Sequence, residues 1–205
     1  MMGNLKKYYQ NLYEVHGRNS KSVQHVSYME QRKRFEILSD NVGLKDKVID
    51  LGCGLADFYF YLKSNGFEGQ YLGLDFVDQF IKSNREHYWG DQNAKFQVFD
   101  LYQDYIVPEY DHIILCGVFN NKMADNYSFM KTSVRKMYAA ANQSISFNML
   151  STYVDYQDDA LYYFDPKEVF DFCKKEISPF VTLKHDYGLG GNNHPYEFTL
   201  FIRKN

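Results

Sequence analysis

The chain has 205 residues, 45% hydrophobic and 24% charged, an ordinary globular balance with enough apolar side chains for a sizeable core. A formal net charge of −3 and a single short basic run, Arg32-Lys33-Arg34, give no electrostatic footprint for nucleic acid. Cys53, Cys116 and Cys173 are too scattered for a disulfide framework or a zinc site, and no stretch has the length of a membrane span or the pattern of a secretion signal. The expectations are a reduced, cytoplasmic setting with no metal, no nucleic acid and no membrane as partners.

Residues Leu5 to Glu14 and Tyr28 to Leu38 read as helices separated by a polar loop, His16 to Gln24. Strand–helix alternation then begins. Lys47 to Leu51 is a short apolar strand, and Leu55 to Ser64 a helix stopped by Asn65-Gly66. Gln70 to Leu74 is a strand, Val77 to Tyr88 a helix and Lys95 to Phe99 a strand. Asp111 to Cys116 contains Ile113-Ile114-Leu115, an unbroken apolar run suited to a strand buried on both faces. A helix over Phe129 to Ala141 and a strand over Ser144 to Met149 follow. Asp165-Pro166 starts a helix, because the aspartate caps it and proline lacks the N–H that the first turn leaves unused. Val181 to Tyr187 and Glu197 to Arg203 read as a closing antiparallel pair. This order predicts one α/β unit built on a mostly parallel sheet.

The strand Lys47 to Leu51 runs into Gly52-Cys53-Gly54 and then a helix, while Asp75 ends the next strand and Asp100 the one after. All three features fall at the carboxyl edge of one sheet, where open α/β folds bind ligands. Glycines let a ligand approach the backbone, and a carboxylate one strand along suits the hydroxyls of a ribose. A dinucleotide fingerprint starting at Gly52 would need a small residue at position 57, where the chain has Asp57. A carboxylate there repels a pyrophosphate and favours a cofactor with no phosphate and a positive charge, such as S-adenosylmethionine.

These segments resemble the class I S-adenosylmethionine-dependent methyltransferases over nearly the whole chain. Asp50-Leu51-Gly52-Cys53-Gly54 resembles their first motif, Tyr71-Leu72-Gly73-Leu74-Asp75 their second, and Asp111 to Gly117 their fourth. One departure is Ala56, where the first motif has a third glycine. The resemblance implies a Rossmann-like sandwich with a seven-stranded, mostly parallel sheet in the order 3-2-1-4-5-7-6 and a C-terminal antiparallel hairpin. Residues 1–40 would form an N-terminal helical lid and 45–205 the core. His16-Gly17, Gln31, Arg34-Phe35, Gly117-Val118-Phe119-Asn120 and Phe147-Asn148 are similar to a small bacterial subgroup, some of whose members are linked to surface-carbohydrate modification and polysaccharide biosynthesis.

The resemblance also implies residue roles. Gly52, Cys53 and Gly54 would lie beneath the methionine part of the cofactor, with Asp50 orienting the turn. Asp75 would hold the ribose and Phe76 would pack on the adenine or ribose. Asp100 and Leu101 would meet the adenine, Cys116 and Gly117 would present a carbonyl to the cofactor ammonium, and Arg34 would pair with its carboxylate. On the acceptor side, Asn120 is the expected positioning group and His194 the expected base. The acidic, aromatic segment Tyr153 to Asp159 reads as a loop after the fifth strand, either closing over a polar substrate or simply solvated. An Asp/Asn-Pro-Pro-Tyr/Phe motif, which would hold a nucleic-acid base, is absent after the fourth strand. The expected reaction is direct displacement of the methyl group onto an oxygen, a sugar hydroxyl or a phosphoramidate oxygen, of a small-molecule, nucleotide-linked or glycan-precursor acceptor, yielding S-adenosylhomocysteine. The alternatives are a cofactor-binding protein without turnover, a methyltransferase acting on a protein side chain, and a nicotinamide-dependent reductase.

Overall fold

The computed structural model describes residues 2–24, 27–189 and 194–204. Seven strands form one sheet: β1 (Lys47–Leu51), β2 (Gln70–Asp75), β3 (Ala94–Val98), β4 (His112–Leu115), β5 (Ser144–Leu150), β6 (Val181–Lys184) and β7 (Glu197–Arg203). Their spatial order is β3-β2-β1-β4-β5-β7-β6. The β1–β2, β2–β3, β1–β4 and β4–β5 pairs are parallel, whereas β7 runs antiparallel to both β5 and β6. This is the predicted order and hairpin.

The helices are α1 (Met2–His16), α2 (Tyr28–Leu38), α3 (Asp57–Ser64), α4 (Asp78–His87), α5 (Asn126–Ala140) and α6 (Pro166–Phe172). Caps set several of their starts. Asp125 accepts from Ser128 N at 2.9 Å, which begins α5 three residues before the apolar stripe does. Asp165 accepts from Lys167 N at 2.8 Å with Pro166 in the first turn of α6. After Phe172 the chain continues as a π-helical turn, Cys173–Ile177. The polar segment expected as loop contains a short 3-10 turn, Ser20–Val23, capped by Asn19.

Successive residues of the central strands point to opposite faces. Ile49, Leu51, Ile113 and Leu115 pack with Met130, Val134 and Met137 of α5 and Val169 and Phe172 of α6. Val48, Tyr71 and Ile114 pack on the other face with Phe35 and Leu38 of α2 and Phe58, Tyr59 and Leu62 of α3. Covering both faces leaves the carboxyl edge of the parallel strands as the place where loops and polar groups converge.

Among the described residues, no helix is long and apolar enough to cross a membrane.

Candidate active site

The turn after β1 is made of residues with positive φ: Gly52 at +75°, Gly54 at +51° and Ala56 at +59°. Two of these positions have no room for a side chain. A Cβ on Gly52 would sit 2.3 Å from Cγ2 of Val118, and one on Gly54 would sit 2.8 Å from Cγ1 of Val23. Ala56 is the exception, an L-residue held in the left-handed region and fully buried. Because Ala56 is left-handed, α3 starts at Asp57, two residues later than its apolar spacing suggests.

Asp75 ends β2 beside this turn. Its Oδ2 accepts from Gly54 N and its Oδ1 from Val77 N, both at 2.9 Å. An ionised carboxylate has about four acceptor sites, so two remain for a ligand. Burial pushes the Asp75 carboxyl up to about 6, against the backbone hydrogen bonds that favour its charge. Asp50 lies on the α3 face of β1 and accepts from the Tyr71 hydroxyl at 2.5 Å. Burial pushes it up to about 7, again opposed by the hydrogen bond it accepts.

A cavity of about 580 Å³ opens over these groups. Arg34, Asp50, Gly52, Cys53, Asp75, Phe76, Cys116, Gly117 and Asn120 all line it, so the structure brings together most of the residues singled out from sequence. Cys116 is no nucleophile: burial raises its thiol to about 12. Gly54 supports the floor through its N–H to Asp75 rather than through the lining.

Besides Gly54, three expected residues lie outside the cavity lining. The Asp100 carboxylate faces its own turn, accepting from Tyr102 N and Gln103 Nε2 at 2.9 Å each. Leu101 packs on the core, and its carbonyl accepts from Lys136 Nζ at 2.7 Å. His194 is exposed, with Nε2 3.2 Å from the Tyr153 carbonyl oxygen. The expected base is thus held to the loop that follows β5.

Arg34 lines the cavity but is already engaged. Its Nε donates to both oxygens of Glu197 at 3.0 Å and its Nη2 to Oε1 at 2.7 Å. Glu197 also accepts from Asn148 Nδ2 at 2.8 Å, and Asn148 Oδ1 accepts from Gly117 N at 2.8 Å. The loop after β4 is thus tied to β5, β7 and α2 by one buried polar chain. Glu197 was not singled out from sequence; its signal is a charge opening an otherwise apolar strand, Glu197 to Arg203.

Tyr9 on α1 was also missed. It packs edge-on against Phe76 and Phe80 at 6.2 Å, and α1 is further held by a Lys6–Asp78 ion pair at 3.1 Å. The Tyr9 hydroxyl donates to Gln24 Oε1 at 2.7 Å and accepts from Asn121 Nδ2 at 3.0 Å. Burial raises that hydroxyl to about 12, so it stays a neutral hydrogen-bonding group.

A seven-stranded sheet in this order, with a glycine turn and an acidic residue at the ends of its first two strands, defines the class I methyltransferase fold. No protein-family model matches the chain. It is similar to the Mycobacterium tuberculosis protein named "Putative methyltransferase Rv1506c", at 34% identity over 161 residues, covering 76% of this chain and 91% of that protein. Among solved structures, magnesium protoporphyrin IX methyltransferase (ChlM) from Synechocystis PCC 6803 with bound SAH superposes with a TM-score of 0.67 at 12% identity, covering 97% of this chain and 94% of that one. A DhpI-SAM-HEP complex gives a TM-score of 0.68 at 13% identity, covering 98% and 96%. These structural likenesses concern the fold, and the Mycobacterium relative concerns the family. The chain belongs to the class I S-adenosylmethionine-dependent methyltransferases.

Proposed function

We propose that the cleft binds S-adenosylmethionine and that the chain transfers its methyl group to an oxygen of a small polar acceptor, a sugar or glycan-precursor hydroxyl. The observation that carries this reading is the Asp75 carboxylate, fixed by Gly54 N and Val77 N on the wall of the cavity with acceptor capacity left over. That donor–acceptor set fits a ribose diol. In this reading Gly52 and Cys53 underlie the methionine part, Phe76 packs on the nucleoside, and the Cys116–Gly117 carbonyls face the ammonium. The cofactor supplies an electrophilic methyl on a good neutral leaving group. The chain's own residues then mainly align the acceptor, and alignment alone can contribute on the order of 7–11 kcal/mol in favourable cases.

Asn120 suits the positioning role. Its Oδ1 accepts from Leu150 N at 3.3 Å, which orients the amide beside the lining groups Tyr196 and Asp158. Neutral amides, a phenol and carboxylates match hydroxyl groups. A phosphoramidate oxygen finds less support, because Arg34 is already forked by Glu197. The packing of α1 on Phe76 and Phe80 supports residues 1–40 as a lid over a core of 45–205. We place the reaction in the cytoplasm, in carbohydrate or polysaccharide biosynthesis.

The test is to incubate the purified chain with S-adenosylmethionine and neutral glycans and to follow S-adenosylhomocysteine. Release that depends on a glycan is the expected result. Tight cofactor binding with no release for any acceptor would instead favour a binding protein, label appearing on added protein would favour a protein substrate, and binding of NADH would favour a reductase.

A further inference from the structure

Gly54, Leu55 and Ala56 are buried, and their carbonyls need donors. The backbone of α3 reaches only the last of them, where Phe60 N donates to the Ala56 carbonyl at 3.1 Å. Side chains serve the other two. Asn84 of α4, fully buried, donates from Nδ2 to the Gly54 carbonyl at 2.8 Å. Arg18 donates from Nη2 to the Leu55 carbonyl at 2.6 Å. The same guanidinium donates from Nη1 to Asn84 Oδ1 at 2.8 Å and to Ser83 Oγ at 3.2 Å, so it joins both supports and fixes which way the Asn84 amide faces.

Arg18 belongs to the segment that follows α1. Its neighbour Gly17 has a φ of +59°, and the buried Ser22 hydroxyl donates to the Gly17 carbonyl at 2.7 Å. Val23, at the end of the same 3-10 turn, is the side chain that leaves no room for a Cβ on Gly54. The segment from Gly17 to Val23 therefore meets the turn after β1 at two points, one polar and one apolar. An L-residue such as Ala56 stays left-handed only where its surroundings over-determine it, and these contacts supply that constraint on the side of the turn away from Asp75.

We infer, resting on the cofactor reading above, that Arg18 is a positioning residue of the cofactor turn: it holds the Leu55 carbonyl directly and the Gly54 carbonyl through Asn84, and so keeps the turn in the shape that receives S-adenosylmethionine. The role calls for a fork. A guanidinium presents several donors in one plane, whereas the compact ammonium of lysine does not reproduce that spread. Cofactor affinity thus depends on a residue that does not line the cavity.

The experiment is isothermal titration of S-adenosylmethionine into wild type, Arg18→Lys and Arg18→Ala. Both variants should bind at least about fivefold more weakly than wild type, because losing a charged donor from a buried carbonyl shifts an equilibrium by roughly tenfold or more. Guanidinium at low millimolar concentration should recover at least about threefold of the affinity of Arg18→Ala, and ammonium should not. A residue that only stabilised the fold would lower the melting temperature and show no such rescue of binding. Hydrogen exchange on the wild-type chain needs no variant. Coupling is reciprocal, so saturating cofactor should slow exchange at Gly17 and Asn19, which do not line the cavity, by at least about threefold. Binding by Arg18→Lys within about twofold of wild type, no rescue by guanidinium, or unchanged exchange at Gly17 and Asn19 would overturn the inference and leave the cofactor reading intact. If the wild-type chain binds no S-adenosylmethionine, the cofactor reading fails and this inference fails with it.

Discussion

Arg34 on α2 and Glu197 at the start of β7, 163 residues apart, form a two-pronged ion pair whose carboxylate is almost fully enclosed. Burial disfavours a charged guanidinium, but the adjacent Glu197 charge and its hydrogen bonds hold Arg34 above its ordinary range. Removing one partner strands a buried charge. Arg34→Met is expected to cost about 3–5 kcal/mol of stability. Arg34→Met combined with Glu197→Leu should recover part of that loss. Urea unfolding of the two variants checks the pair, and equal losses in both would show that the buried charge is not the cause.

The contact between Gly52 and Val118 joins the turn after β1 to the loop after β4. Gly52→Ala places a methyl group 2.3 Å from Val118 Cγ2 on a residue with φ of +75°. Overpacking costs typically about 1–3 kcal/mol and the left-handed conformation about 1–2 kcal/mol more. Adding Val118→Ala should relieve the first part and leave the second, so thermal unfolding of the double variant should fall between Gly52→Ala and wild type.

The proposed N-terminal lid makes a dynamic prediction. Tyr9→Phe removes the hydroxyl shared by Asn121 and Gln24 and keeps the ring against Phe76 and Phe80. A net hydrogen bond is worth about 1 kcal/mol, which is about a fivefold shift in an opening equilibrium. Hydrogen exchange should speed up along α1 by several-fold and remain unchanged in β1 and β4. A uniform increase over the whole chain would point to global destabilisation instead.

Asp50 and Asp75 set the pH dependence. Their folded values of about 7 and about 6 lie above the ordinary 3.8, mainly through burial. The fold therefore binds more protons than the unfolded chain between about pH 4 and 7. The stability these two groups confer is full below about pH 4 and is lost as pH rises through 6 and 7. Asp50→Asn cannot ionise at that position, so its stability relative to wild type should improve by roughly 1–3 kcal/mol from pH 5 to pH 8. Denaturant midpoints at the two pH values give the comparison, and a gap that stays constant with pH would contradict it.

The sheet was legible because its strands are short apolar runs punctuated by glycine and acidic residues, and the hairpin because a Gly/Asn-rich stretch of sequence separates the last two apolar runs. The carboxyl-edge residues were legible for the same reason: Asp50, Gly52, Gly54 and Asp75 sit at strand ends, where sequence position fixes spatial position. What stayed hidden depends on distant pairing. Glu197 reaches the cavity only because β7 lies beside β5, and it captures an arginine expected to face the cofactor. Tyr9 reaches Asn121 only through the packing of α1 on α4. Asp100 also stands at a strand end, yet its carboxylate accepts from the Tyr102 N–H and the Gln103 side-chain amide within its own turn.

In the proposed complex Asp75 holds the ribose of S-adenosylmethionine. Isothermal titration of S-adenosylmethionine into wild type and Asp75→Ala tests it most directly. Two charge-assisted hydrogen bonds at about 1.5–3 kcal/mol each predict a loss of roughly 10²–10⁴-fold in affinity. Binding by Asp75→Ala within about threefold of wild type, less than even one ordinary hydrogen bond would contribute, would contradict the account.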